Sequence, residues 1–484
     1  MNNFFLRKTL DELKAEAEHQ NPLKRHLSAT NLVLLGIGCV IGAGIFVLTG
    51  SAAAIYAGPA VSIAFVISAM GCMFAGLCYA EFSSMIPISG SAYTYGYATM
   101  GEFIAWIIGW DLVLEYLLGA ATVAVGWSGY VVHFLEYFNI NIPASISQSP
   151  FVYDANGWHT SGALINFPAM FVVIVVSTLL ILGIKQSAKV NNIIVIIKVI
   201  VILLFIGLGI SYIDVSNWQP FIPENTGKPE HFGWTGILTA SGVVFFAYIG
   251  FDAVSTASQE ARNPQRDMPI GILVSLAICS ILYIVVSLVL TGVVNYTELN
   301  VPAPIAVAIS KFDTGLQWIT PIINVGAIAG LSSVVLVLLM AQSRIFYTMG
   351  NDGLLWKVFA KVHPKYKTPH ITTVTVGIVA AVVAGLFPIG LLGELVSIGT
   401  LFAFIIVCVG IIILRKTEPN APRAFKTPWV PILPAIGAII CFVQMASLPK
   451  DTWERLIIWM AIGLVIYFVY GKKHSKVRKR RIEG

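Results

Sequence analysis

Charge is scarce in this sequence. Asp, Glu, Lys and Arg make up 11% of 484 residues, against about 25% in soluble proteins. A chain of this length needs far more to cover a surface in water, which excludes a soluble enzyme, a fibrous protein and a disordered chain. Cysteine is sparse too. Cys39, Cys72, Cys78, Cys279, Cys408 and Cys441 all fall inside apolar runs, where they read as small buried hydrophobes and not as a secreted disulfide framework. The eight histidines are scattered, with no His-x-x-x-His pair, so zinc spacing is missing. No nucleophile elbow and no Walker A loop is present. The reading is therefore no enzyme, no cofactor and no metal. Asp111 and Glu115 give a membrane-embedded enzyme its one foothold. The first thirty residues lack an apolar stretch, so no cleaved signal peptide is expected. Residues 4–19 fit either an amphipathic surface helix or a solvated tail.

Apolar residues are what the chain has in excess, at 57%. A membrane span needs about 20 of them in a row. Twelve runs qualify: 31–56, 59–86, 101–134, 163–183, 189–213, 234–257, 269–293, 319–349, 371–388, 392–414, 429–447 and 454–471. None alternates as a barrel strand would, so the expected class is an all-α integral membrane protein. With both ends placed in the cytoplasm, 25 Lys and Arg fall on the inner side and four on the outer: Lys228, Lys311, Lys450 and Arg455. The positive-inside rule then fixes the orientation. The net charge of +6 is a topology signal, not a nucleic-acid footprint. The basic tail 472–484 is expected to touch anionic lipid. The uncharged inner turn Pro87–Tyr93, rich in Gly, Ser and Tyr, suits a re-entrant or surface-lying segment.

Span 1 carries four glycines in nine residues, from Gly36 to Gly44. Each costs a helix about 1 kcal/mol against alanine. Close helix packing explains them as well as a break does. Span 6 reads Phe245-Phe246-Ala247-Tyr248-Ile249-Gly250-Phe251-Asp252. The two spans lie five apart, so they cross in opposite directions and each opens one half of a possible inverted repeat. Interrupted segments at matching positions point to a midplane substrate site. A broken helix frees backbone groups that lipid cannot satisfy. N–H groups around Ile41, Gly42, Ala43, Gly44 and Ile45 suit a carboxylate. Carbonyls near Phe246, Ala247 and Ile249 suit an ammonium. Together they describe a site for an amino acid zwitterion, with Phe246 as a lid or simply as core.

These residues look familiar. The run at 36–46 resembles the first helix of amino acid–polyamine–organocation (APC) permeases. The stretch 245–252, followed by Glu260-Ala261-Arg262-Asn263-Pro264, resembles their sixth helix and the loop after it. Ser89-Gly90-Ser91-Ala92-Tyr93-Thr94-Tyr95 resembles the cationic amino acid transporter branch, and the chain is similar to a bacterial member. The resemblance covers about residues 27–473. It implies a LeuT-like fold of two inverted five-helix repeats (31–213 and 234–414) and two further helices (429–471), between a cytoplasmic segment 1–30 and the basic tail. It implies amino acid transport by alternating access in the plasma membrane, with small neutral substrates expected first, then branched-chain, then cationic ones. A non-transporting sensor on the same fold stays open.

Lys198 lies about nine residues into span 5. An ionisable residue there is functional by default, although snorkelling offers a plainer account. In sodium-driven relatives a cation sits between helices 1, 5 and 8, and in proton-driven ones a helix 5 lysine takes that place. The resemblance therefore implies proton coupling at Lys198 beside Ser332 and Ser333, whose stretch Ala329-Gly330-Leu331-Ser332-Ser333 matches the sodium-site pattern. Glu115, four residues beyond Asp111, is expected to line the site, join Lys198 or form a structural pair. Leu338 is expected in the side-chain pocket. Glu81 and Asp252 are expected to pair with cytoplasmic arginines or gate that side, and the 260–269 loop to belong to the same gate. The expected partners are an amino acid, a proton and lipid. No external cysteine is available for a disulfide-linked heavy chain.

Overall fold

Long apolar runs must satisfy their backbone groups internally when lipid surrounds them, and helix is the local way to do so. A computed structural model describes residues 6–9, 12, 27–86, 91–154, 157–183, 188–228, 230–312, 316 and 318–483. Its principal helices are α1 (Ala29–Val40), α2 (Val61–Met85), α3 (Glu102–Tyr137), α4 (Phe167–Ile181), α5 (Ala188–Gly209), α6 (Gly233–Val244), α7 (Pro264–Val293), α8 (Ile319–Asn351), α9 (His370–Leu386), α10 (Ile389–Thr417), α11 (Ile432–Ala446) and α12 (Lys450–Ile466). Among the described residues, eight helical stretches are long and apolar enough to cross a membrane, and α1, α4, α9 and α11 are shorter apolar helices.

The distribution of polarity is that of a membrane protein. Apolar side chains such as Ile193, Ile200 and Leu203 on α5 and Ile457, Ile458 and Val465 on α12 face outward. Glu81, Glu102, Glu115, Lys198 and Asp252 are fully buried inside. A charge turned away from lipid needs partners or a purpose within the bundle. In the interior, α7 packs along α2 and α1, α8 along α3, α10 along α11, and α9 along α4.

One element departs from the all-helical expectation. Phe151–Asp154 and Gly157–Thr160 pair as an antiparallel hairpin, with Phe151 opposite Thr160. Aromatic and β-branched residues on both sides of a short turn favour this pairing. The hairpin lies in the segment between α3 and α4, and its Phe151 and Trp158 rings rest on Phe387 at 5.9 and 6.2 Å.

Of the turn expected at Pro87–Tyr93, 87–90 lie outside the described residues, as does most of 4–19. Ser91–Thr99 forms a short helix, nearly all of it buried. Leu27, just before α1, bridges to Ala261, its N–H donating to Glu260 and its carbonyl accepting from Arg262. The 260–269 loop is thereby held against the start of α1.

Candidate functional site at two interrupted helices

Both glycine-bearing spans are interrupted. After Val40 the chain leaves the helix at Ile41, where ψ is 97°. It resumes as a wide turn over Gly44–Leu48, followed by Thr49–Ala52. The amides of Ala43, Gly44 and Ile45 open this second half, where a helix's first N–H groups have no partner within the helix. Span 6 ends α6 at Val244, tightens over Phe245–Tyr248, and turns extended at Ile249. Gly250 follows at φ +111°, a conformation that glycine alone adopts without strain.

The two interruptions touch. A Cβ on Gly44 would stand 2.2 Å from the Cα of Ala247, and one on Gly250 would stand 2.9 Å from the carbonyl oxygen of Cys39. Of the carbonyls expected at span 6, that of Phe246 accepts from the N–H of Ile249 at 3.2 Å. The carbonyl of Ala247 is engaged by Tyr283 of α7, whose hydroxyl lies 2.9 Å from it and 2.8 Å from the carbonyl of Val40. One hydroxyl thus bridges both breaks. Tyr283 escaped the sequence reading, because a tyrosine in an uninterrupted apolar span carries no mark. Phe246 is buried, and it is the neighbouring Phe245 whose ring meets Phe404, at 5.4 Å.

Lys198 of α5 reaches the same place. Its Nζ donates to the carbonyls of Gly38 at 2.8 Å and Ile41 at 3.0 Å. It does not snorkel, since it is 0% exposed. A Cβ on Gly330 would stand 2.7 Å from Lys198 Cε, so α8 makes room for the lysine with a missing side chain. Ser332 and Ser333 turn elsewhere. Ser332 Oγ bonds Ile328 and accepts from Trp127 Nε1 at 2.8 Å, and Ser333 Oγ bonds Gly330. Gly330 is therefore an α8 residue packed against the lysine.

Glu115 sits in a wide turn of α3 and is fully buried. It faces Asp252 and not Lys198. Asp252 accepts from Tyr116 and, among the described residues, forms no ion pair with an arginine. The expectation of a cytoplasmic arginine partner fails there because the turn at Gly250 carries Asp252 inward toward α3. Glu81 does meet arginines: it accepts from Arg415 Nε and Nη2 at 2.8 and 2.9 Å, Arg423 Nε at 3.1 Å and the N–H of Thr427 at 2.8 Å. Leu338 packs against Gly119 of α3, with its Cδ1 3.4 Å from where a Cβ would stand. A separate groove of about 550 Å³ lies away from the breaks, between the start of α7 at Pro269 and the α10–α11 connection at Phe425.

Residues 27–467 match the model of the amino acid permease family. The chain belongs to that family. The permease is 47% identical to the methylthioribose transporter of Bacillus subtilis (strain 168), over 99% of this chain and 100% of the relative. It is 45% identical to the branched-chain amino acid permease BcaP of the same organism, over 98% and 99%. It is 38% identical to the chloroplastic cationic amino acid transporter 9 of Arabidopsis thaliana, over 94% and 89%. The resemblance to APC permeases and to the cationic amino acid transporters is thus upheld. The family is one of transporters, not of enzymes, and the permease is a multi-pass membrane protein.

Proposed function

We propose that the permease carries small neutral L-amino acids across the cell membrane by alternating access, driven by protons, with both termini in the cytoplasm. The observation that carries this reading is the contact between two interrupted helices whose main-chain groups are held by Tyr283 and Lys198. The substrate carboxylate is assigned to the amides of Ala43, Gly44 and Ile45, at the positive end of the second half of span 1. The ammonium is assigned to the carbonyl side of span 6, at Phe246, Ala247 and Ile249. Ile41 and Gly42 line the bend between. Leu338 and Glu115 close the side-chain end, where an apolar residue suits a small neutral substrate.

Eight long and four shorter apolar helices support a twelve-span chain, read as two inverted repeats over 31–213 and 234–414 followed by two helices. The Lys198 ammonium occupies the place of a coupling cation, and its proton is the coupling ion. The identity to the methylthioribose transporter favours a second reading, since main-chain donors and acceptors also bind sugar hydroxyls. Identity to BcaP favours branched-chain substrates as a third.

The test uses purified protein in liposomes, with labelled alanine outside and an inward proton gradient without sodium. All twenty amino acids and methylthioribose serve as competitors. Accumulation above equilibrium that a protonophore collapses supports the proposal, and the competition pattern names the substrate. No alanine uptake, with labelled methylthioribose accumulating in its place, overturns the amino acid assignment. Binding without flux under protons, sodium or counter-substrate overturns transport and leaves a sensor.

A further inference from the structure

Two buried carboxylates, one at the start of α3 and one just past α8, hold the segments around Leu6–Lys8 and Ser475–Arg478. Glu102, the first residue of α3, is 0% exposed. It accepts from Tyr97, Tyr467, Ser475 and Arg478, with Arg478 Nη2 at 3.3 Å. Its own N–H donates to the carbonyl of Leu6 at 2.9 Å. Asp352, just past α8, accepts from Lys8 Nζ and from the Tyr93 hydroxyl, each at 2.7 Å. The Asp352 carbonyl accepts from the N–H of Lys476 at 3.0 Å. A Cβ on Gly353, at φ +79°, would stand 2.2 Å from the carbonyl oxygen of His474. The tail after α12 is therefore seated on the bundle and not merely attached to it.

The seated tail has two faces. Lys476–Glu483 is helical. Residues i, i+3 and i+4 of a helix share one side, which groups Lys476, Lys479 and Arg480. All three are exposed. Arg478, two residues from Lys476, falls on the opposite side, buried against Glu102. Among the described residues no ion pair uses Lys476, Lys479 or Arg480. Arg478 thus answers a protein carboxylate, while three cations beside it, at the end of a long apolar helical stretch, make no ion pair among the described residues. A row of Lys and Arg beside a span is complementary to anionic headgroups.

The seat also leads inward. Tyr93 and Tyr97 lie on the short helix Ser91–Thr99, and the Ser91 hydroxyl meets that of Ser255 at 3.3 Å. Ser255 belongs to Asp252–Glu260, the continuation of span 6 beyond its break. A physical chain of contacts therefore runs from the tail to the interrupted helix.

We propose that residues 472–480 form a lipid-responsive latch. Ser475 and Arg478 fasten it to Glu102, and Lys476, Lys479 and Arg480 hold anionic lipid headgroups that keep it fastened. This rests on the membrane placement of the chain, but not on its substrate or on transport.

Hydrogen exchange tests it on the full-length protein in nanodiscs of phosphatidylcholine alone or with phosphatidylglycerol added. Phosphatidylglycerol should slow exchange of amides in 472–480 and 93–102 on the order of tenfold or more at low salt. The gain should fade at high salt. Lys476→Gln, Lys479→Gln and Arg480→Gln combined should abolish the gain and leave exchange in phosphatidylcholine unchanged. Arg478→Gln should speed exchange of both segments in either lipid. If Arg478→Gln does not fold, the triple variant, whose changes are all exposed, decides alone. Equal exchange in the two lipids, or a lipid response kept by the triple variant, overturns the proposal. Inorganic phosphate in detergent reproducing the protection would assign the face to a soluble anion and also overturn it.

Discussion

Gly44 and Ala247 meet backbone to backbone, so closely that a methyl group on Gly44 would fall 2.2 Å from the Ala247 Cα. The obstacle is main chain, which cannot swing aside as the end of a side chain does. Gly44→Ala must therefore separate the two interrupted helices or fail. Overpacking a tight site costs typically about 1–3 kcal/mol, occasionally more. The variant is expected to lose substrate binding, with a lower melting temperature in detergent. Gly207→Ala serves as a control, since nothing lies within 4 Å of its Cβ position. Normal binding by Gly44→Ala would mean that the two breaks need not touch for function.

Tyr283→Phe removes one oxygen and keeps the ring in its cluster with Tyr248 and Phe65. Two buried carbonyls, of Val40 and Ala247, lose their shared partner. A buried polar group left unsatisfied costs roughly 1–3 kcal/mol. Substrate affinity and thermal stability are both expected to fall, and more than in Tyr296→Phe, whose hydroxyl makes no hydrogen bond recorded among the described residues and whose side chain is only partly buried. Isothermal binding and melting curves measure the two effects separately.

Lys198→Ala leaves the carbonyls of Gly38 and Ile41 without their ammonium. Proton-driven accumulation is expected to disappear, while a folded protein still elutes as a single species. Full proton-driven uptake by this variant would sink the coupling role of Lys198. Gly330→Ala offers a second route to the same site, because its new methyl would press on Lys198 Cε.

Glu81 and Glu454 separate buried from exposed ion pairing. Glu81 is wholly buried under Arg415 and Arg423, whereas Glu454 and Lys450 are largely in solvent at 3.5 Å. Removing one partner of a buried pair typically costs about 3–5 kcal/mol, and an exposed pair contributes about 0–1 kcal/mol. Glu81→Gln is expected to lower the melting temperature by several degrees, and Glu454→Gln to leave it nearly unchanged. Equal shifts would show that the α10–α11 connection is not pinned through Glu81.

What was legible in the sequence follows from how each signal is written. Helices announced themselves because lipid demands unbroken apolar runs, and the two breaks because four glycines crowd nine residues of span 1 and a Gly-Phe-Asp interrupts span 6 at the matching place. Lys198 stood out for the same reason: one charge among isoleucines and valines. The hairpin at 151–160 was missed because its strands are only four residues each and sit in a polar connection. Tyr283 was missed because its role depends on two carbonyls from distant segments, a relationship that no local pattern encodes. The arginine expected for Asp252 is replaced by Tyr116 because the partner is chosen by the turn at Gly250, not by the charge of its neighbours in sequence. Gly330 was overlooked in favour of Ser332 and Ser333, since a missing side chain draws less notice than two hydroxyls.

The ammonium of Lys198, held at the carbonyls of Gly38 and Ile41, is a cation on a leash. A free ion at such carbonyls would come and go with its concentration in the medium, and its occupancy would follow a dissociation constant. A tethered amine cannot leave, and only its proton can come and go. The carbonyls where span 1 opens are supplied with an amine at fixed stoichiometry, in any salt and at any dilution, and its charge follows the proton and not the salt. A membrane that encounters brine one hour and rainwater the next would find this part of the machine already loaded.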